Sequence, residues 1–125
     1  MEQLPQITDA EWLIMKALWE KSPMKSREIV KIISKQKNWN NKTIETLLRR
    51  LVEKNAVGYR NINTRVREYF PLVSKEECII VENETFLKKV YDGSVSMMMA
   101  NLIKQKKVSK EELQKLRAIL DENEE

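Results

Sequence analysis

The sequence predicts a mostly α-helical chain with a small β element, an α+β arrangement in which strands are the minor part. Long stretches carry apolar residues in helical period, and only two glycines and three prolines interrupt 125 residues. One stretch, from Val57 to Phe70, changes to the alternating pattern of a strand pair. At 42% hydrophobic and 34% charged, the chain can bury a core and keep a wet surface, which favours a folded protein over a disordered one.

The first helix starts at Thr8, an N-cap residue with Glu11 three positions on. This is a capping box, in which each residue satisfies a backbone N–H of the other. Ile7 and Trp12 flank it as a hydrophobic staple, and Trp12, Met15, Leu18 and Trp19 form its apolar stripe up to Lys21-Ser22-Pro23. Met24-Lys25 is long enough only for a bridging strand. Ser26 is the expected cap of a second helix with Ile29, Val30 and Ile33 inward, and the helix fades through Lys35–Lys37. Asn40 caps a third, running from about Asn41 to Lys54, that buries Ile44, Leu47, Leu48 and Leu51. Asn55 then falls where a left-handed residue is wanted.

Val57–Asn61 and Val66–Phe70 read as a hairpin around a polar, basic tip, Ile62-Asn63-Thr64-Arg65. Three helices followed by a hairpin is the order of a winged helix-turn-helix, with the third helix for the major groove and the hairpin as wing. Beyond Pro71 the chain returns to helix. Ser74–Glu77 is a second capping box, followed by Ile80, Asn83, Phe86, Leu87 and Val90 and a stop near Gly93. A helix from Ser96 to about Gln105 holds Met97, Met98, Met99, Leu102 and Ile103. Ser109–Glu112 opens a last helix with Leu113, Leu116 and Leu120. Three such helices hold too few apolar residues to close a core alone, and a symmetric copy is the simplest partner. The expected organisation is a DNA-binding domain over 1–73 and a three-helix C-terminal dimerisation domain over 74–125.

The net charge of +4 is unevenly spread. Residues 23–71 hold 12 Lys/Arg against four acids, a balance of +8, while the segments on either side each come to −2. A basic block centred on the helix-turn-helix is the footprint expected where phosphates are met. With no histidine and one cysteine, neither a zinc site nor a Cys/His or Ser/His catalytic pair can be built, so no enzyme, metal or cofactor is expected. The single Cys78 fits a reducing compartment and reads as a small apolar residue. The opening MEQLPQITDAEW lacks the apolar core of a leader, and no apolar run reaches the ~20 residues of a membrane span. A cytoplasmic protein without membrane insertion is expected. Met97–Met99 is read as adaptable packing and Lys104–Lys107 as an exposed turn.

On the third helix the face opposite Ile44, Leu47, Leu48 and Leu51 presents Lys42, Thr43, Glu45, Thr46, Arg49 and Arg50. Thr43 and Thr46 can meet a thymine methyl or a phosphate, Lys42 and Arg50 suit phosphate anchoring, and Arg65 and Arg67 on the wing can reach backbone or minor groove. Glu45 admits two readings. An i,i+4 pair with Arg49 is the favoured one, and acceptance of a hydrogen bond from a cytosine amino group is the other.

The segment Ile7–Trp12 with Met15 and Trp19 resembles the opening of the BlaI/MecI family of β-lactam-resistance repressors. So do Trp39, Lys42-Thr43-Ile44, Thr46-Leu47, Arg50-Leu51 and Tyr69–Val73. Further on, Phe86–Tyr91 with Gly93, Ser96 and Asn101, then Glu112-Leu113, Leu116 and Ile119-Leu120, extend the likeness over nearly the whole chain. The resemblance implies a winged-helix domain, a helical dimerisation domain, and a homodimer that blocks transcription from a dyad-symmetric promoter operator on double-stranded DNA. It also implies inactivation by a cut after an Asn in the C-terminal domain, at Asn101-Leu102 here, when a membrane sensor-transducer signals β-lactam. The family usually has Phe where Leu102 stands, Ser-Pro where Asn40-Asn41 stands, and Arg or Gln in place of Glu45. The cysteine-rich tail of copper-responsive relatives is missing. An alternative within the same fold is a winged-helix protein-interaction module that binds no DNA.

Overall fold

The computed structural model describes residues 4–123, so the first three residues of the opening and the last two of the chain lie outside the described residues. The chain runs α1 (Asp9–Glu20), β1 (Met24–Lys25), α2 (Ser26–Gln36), α3 (Asn41–Glu53), β2 (Val57–Asn61), β3 (Arg67–Pro71), α4 (Lys75–Tyr91), α5 (Val95–Lys104) and α6 (Lys110–Glu122). Mostly helix with a small antiparallel sheet is the expected class. It divides into two compact units, one ending at Val81 and the other beginning at Glu82.

The first unit is assembled from locally encoded starts and stops. The capping box at α1 is complete: the Thr8 N–H donates to Glu11 Oε1 at 2.9 Å, and the Glu11 N–H donates to Thr8 Oγ1 at 3.2 Å. At α3, Asn40 Oδ1 accepts from the Thr43 N–H at 2.8 Å, and Asn55 is left-handed at φ 64° just past the helix end. The start of α2 differs from expectation. Ser26 is already helical, Lys25 holds the cap position, and the Glu28 carboxylate accepts the Lys25 N–H at 3.2 Å. Lys25 is tied into the sheet as β1, so the helix must begin at the next residue.

The sheet order is β1-β3-β2, with both pairings antiparallel. In the β2/β3 register Gly58 lies opposite Phe70 and Tyr59 opposite Tyr69. A Cβ on Gly58 would lie 2.9 Å from the Phe70 ring, so this position takes no side chain. At the wing tip, Asn63 Oδ1 accepts from the N–H groups of Arg65 and Val66 at 2.8 and 3.0 Å, an Asx-type turn that fixes the loop.

Ile14, Met15 and Leu18 of α1 pack with Ile29 and Ile33 of α2 and with Ile44, Leu48 and Leu51 of α3. Met24, Val57 and Cys78 join the same core. Burying each of the larger side chains contributes about 1.5–3 kcal/mol. Ile14, absent from the predicted stripe, is fully buried. Trp12 and Trp19 sit at the core's margin, edge to face at 5.5 Å, and Trp19 Nε1 donates to the Val73 carbonyl at 2.9 Å. Cys78 packs here as the expected small apolar side chain. Burial pushes its thiol pKa up, the neighbouring Glu77 charge adds to that, and the group stays protonated.

One charged side chain is inside. Glu11 is only 1% exposed, and its carboxylate receives the ammonium of Lys54, which also donates to the Gln6 carbonyl at 2.9 Å. Burial alone would raise the Glu11 pKa. The hydrogen bonds from Lys54 and Thr8, with the Lys54 charge, outweigh it and hold the carboxyl below its ordinary value. Lys54 is thus a structural residue at the end of α3.

In the second unit the helices again begin where polar caps stand. Ser94 caps α5 by accepting the Met97 N–H at 3.1 Å, so the helix begins at Val95, one residue before the expected start at Ser96. Ser109 caps α6 by accepting the Glu112 N–H at 3.1 Å. Asp92 and Gly93, at φ 49° and 87°, end α4, and Lys106 at φ 60° turns the chain in the exposed Lys104–Lys107 segment. Neither α5 nor α6 buries a single residue.

Candidate nucleic-acid interface

With Ile44, Leu47, Leu48 and Leu51 turned inward, the 3.6-residue period leaves Lys42, Thr43, Glu45, Arg49 and Arg50 exposed and Thr46 half-exposed on the other side of α3. The predicted residues fall into two groups. Lys42, Thr43, Thr46 and Arg50 line one shallow depression with Asn40 and Leu47. Two cations and two hydroxyls therefore share one face: Lys42, Thr43 and Thr46 lie in the N-terminal half of the helix, where side chains of a recognition helix reach base edges and adjacent phosphates, and Arg50 extends the face into the last turn. The start of that helix also offers backbone N–H groups and the positive end of its dipole.

Glu45, Arg49 and Arg67 line a second depression with Ser26, Leu48, Val52 and Tyr69, where α3 faces the wing. Arg67 is braced: its guanidinium lies 4.2 Å from the centre of the Tyr59 ring, and Tyr59 packs on Tyr69 across the strands at 6.0 Å. Arg65 lies apart from both groups, exposed at the tip beside the Asn63 turn. Arg60, the wing's other arginine, pairs with Glu68 across the strands at 2.6 Å.

The favoured pairing of Glu45 with Arg49 is not formed. Arg49 turns the other way along the helix, to Glu53 at 3.7 Å, and among the described residues Glu45 has neither an ion pair nor a side-chain hydrogen bond. Both i,i+4 partners are available to Arg49 from spacing alone. With both side chains about two-thirds exposed, the Arg49–Glu53 bridge is worth only about 0.3–0.5 kcal/mol and yields readily to a phosphate. Sequence reasoning missed Tyr59, which positions Arg67, and Asn63, which shapes the tip. The aromatic pair at Tyr59 and Tyr69 and the Asn one residue into the hairpin loop were the available signals.

Among the described residues no three His, Cys, Asp or Glu side chains gather to hold a metal ion, and no helix is long and apolar enough to cross a membrane.

A family model described as penicillinase repressor matches residues 7–122. A penicillinase repressor of Bacillus licheniformis is 36% identical over 123 residues, covering 98% of this chain and 95% of the relative. The methicillin resistance regulatory protein MecI of Staphylococcus aureus is 31% identical over 116 residues, covering 93% and 94%. Among solved structures, the DNA-binding domain of the repressor BlaI is similar at TM-score 0.55 and 38% identity, over 62% of this chain and 93% of that one. Bacillus licheniformis BlaI in complex with the blaP half-operator is similar at TM-score 0.53, with the same identity and coverage. The winged-helix geometry and a likeness along almost the full length agree: the chain belongs to the penicillinase-repressor family, a family of DNA-binding repressors and not of enzymes.

Proposed function

We propose that this repressor binds a dyad-symmetric promoter operator as a homodimer, with residues 1–73 meeting DNA and residues 74–125 joining the two copies. The observation that carries it is the convergence of Lys42, Thr43, Thr46 and Arg50 on the outer face of α3, beside the braced Arg67 of the wing. Lys42, Arg50, Arg65 and Arg67 anchor phosphates, Arg49 joins them when it leaves Glu53, and Thr43 and Thr46 lie against base edges. BlaI, whose DNA-binding domain is 38% identical, has been solved on a half-operator, which supports the same mode here. The protein works in the cytoplasm, where its promoter is.

The homodimer is supported by what a single copy leaves uncovered. Phe86, Val90, Met97, Ile119 and Leu120 are all exposed in the second unit, and a symmetric copy would bury them. Joining two reading heads multiplies affinity for a two-half-site operator through effective concentration.

Inactivation is proposed to follow from a cut between Asn101 and Leu102, after a sensor-transducer signals β-lactam. That bond lies inside α5, with the Asn101 carbonyl accepting the Gln105 N–H at 3.1 Å and the Asn101 amide donating to the Tyr91 hydroxyl at 3.0 Å. A protease needs extended chain, so α5 must open locally before the cut, and the cut separates α6 from the rest of the dimerisation domain.

Titrating DNA from the region flanking the protein's own coding sequence, at several salt concentrations, tests the reading. Four phosphates neutralised per half-site predict that log affinity falls against log salt with a slope of about −7 for the dimer. No retardation at any salt would sink the operator and leave the protein-interaction module. Repressed cells exposed to β-lactam should yield a fragment ending at Asn101. Full-length protein alone from a derepressed promoter would remove the proteolytic step.

A further inference from the structure

Glu45 is the one acid on the outer face of α3 that no neighbour neutralises. It is exposed on the second turn of the helix, within the +8 block, on the side of α3 that faces the wing. Its expected partner Arg49 turns to Glu53 in the free protein and to a phosphate on DNA, and Arg67, which shares its depression, lies over the Tyr59 ring. A free carboxylate turned to a duplex is repelled by every phosphate near it. That repulsion is offset only where a base edge offers it a donor.

The major groove offers two such donors, and they differ in what stands beside them. Adenine places its N6 amino group next to the N7 acceptor, so a carboxylate that takes one hydrogen bond sets its second oxygen against a lone pair. Cytosine presents the N4 amino group with no acceptor of its own alongside. We infer that Glu45 is a specificity-determining residue, reading one cytosine in each half-site by accepting a hydrogen bond from its N4 amino group. This rests on the repressor reading above and adds to it one letter of the operator. The residue acts mainly by exclusion: at guanine or thymine the carboxylate keeps its repulsion and gains nothing, and at adenine the N6 hydrogen bond is offset by the N7 lone pair beside it.

Selection from random double-stranded DNA, run in parallel with the full-length chain and its Glu45→Gln, Glu45→Ala and Arg67→Ala variants, tests this. The wild-type chain should enrich sequences with cytosine at one position per half-site, preferred about tenfold over other bases. Glu45→Ala should lose the preference at that position and keep every other. Glu45→Gln should lose it or move it to adenine, whose N6 and N7 match an amide. Arg67→Ala should keep the cytosine, since the carboxylate reads it directly. The inference is overturned if both Glu45 variants enrich the wild-type sequence with affinity raised equally for all DNA, which is relief of repulsion and nothing more. It is also overturned if Arg67→Ala alone abolishes the preference. Failure of the wild-type chain to enrich any sequence would overturn the repressor reading itself, and this inference with it, and is distinguishable from an unchanged consensus.

Discussion

The two units are built from helices of similar make and end in opposite states. The first closes its own core: α1, α2 and α3 bury Ile14, Met15, Leu18, Ile29, Ile33, Ile44, Leu48 and Leu51, and a three-stranded sheet caps the arrangement. In the second, well-capped helices carry Phe86, Val90, Met97, Ile119 and Leu120, and all remain exposed. Among the described residues no side chain beyond Cys78 is buried. Capping and propensity therefore suffice to define helices in both, while only the first has enough apolar surface in one chain to be complete. The first unit should respond to mutation as a monomeric domain does, and the second as half of an interface.

The sharpest way to break the first unit is through its one buried ion pair. Lys54→Met leaves the Glu11 carboxylate inside with no cation, and the expected loss is about 3–5 kcal/mol at neutral pH, independent of protein concentration. Thermal or urea unfolding of the isolated first unit or of the full chain measures it. The pH dependence has a definite sign. The folded-state pKa of Glu11 is depressed, so the stability it contributes is present above the ordinary carboxylate range of about 4. It is lost as pH falls through the lower folded value. In the variant burial acts unopposed by Lys54 and raises that pKa, so acidification should narrow the gap to wild type. The double variant Glu11→Gln/Lys54→Met keeps an acceptor for the Thr8 N–H and removes both charges, and should recover most of the loss. A Lys54→Met protein as stable as wild type would show that the pair contributes little.

The same pair marks where sequence reading stops. The signals that are local in the chain were legible: Thr8 with Glu11, Asn40 as cap, Asn55 at positive φ, and the period-two pattern of the hairpin all act within a few residues. The four inward positions of α3 were legible for the same reason, and so was the face they leave outside. What failed depended on geometry between distant residues. Glu11 was legible as a cap but not as the buried partner of Lys54, 43 residues away. Ser26 and Ser94 show a finer limit: two serines or a serine beside a strand offer alternative caps, and the surrounding hydrogen bonds choose. Arg49 likewise faces Glu45 and Glu53 at equal spacing, and its choice decides which acid is left for DNA.

The second unit should break differently. Leu120 is 69% exposed in a single copy, so Leu120→Glu should leave helicity and the melting of a lone chain almost unchanged. If a second copy covers α6, the same charge must be desolvated at the interface. Sedimentation should then report monomer at concentrations where wild type is dimeric, and affinity for a two-half-site operator should fall tenfold or more while half-site affinity holds. A Leu120→Glu protein that still sediments as a dimer would remove α6 from the proposed interface.

The smallest expected effect tests how firmly the second unit guards its own scissile bond. Tyr91, at the end of α4, packs edge to face on Phe86 at 6.1 Å and accepts the Asn101 side-chain amide at 3.0 Å. Tyr91→Phe keeps the ring and removes only the acceptor, a change worth about 0.5–1.5 kcal/mol. Because cleavage requires α5 to open, and the open fraction scales with that free energy, limited proteolysis after Asn101 should quicken about two- to tenfold. The far-ultraviolet circular dichroism and the affinity for a half-operator should not move, since α3 and the wing are untouched. Equal cleavage rates would mean that opening is governed by the helical hydrogen bonds of α5 and not by the tie to α4. Faster cleavage with an unchanged half-site affinity would separate the two units functionally as cleanly as their burial separates them.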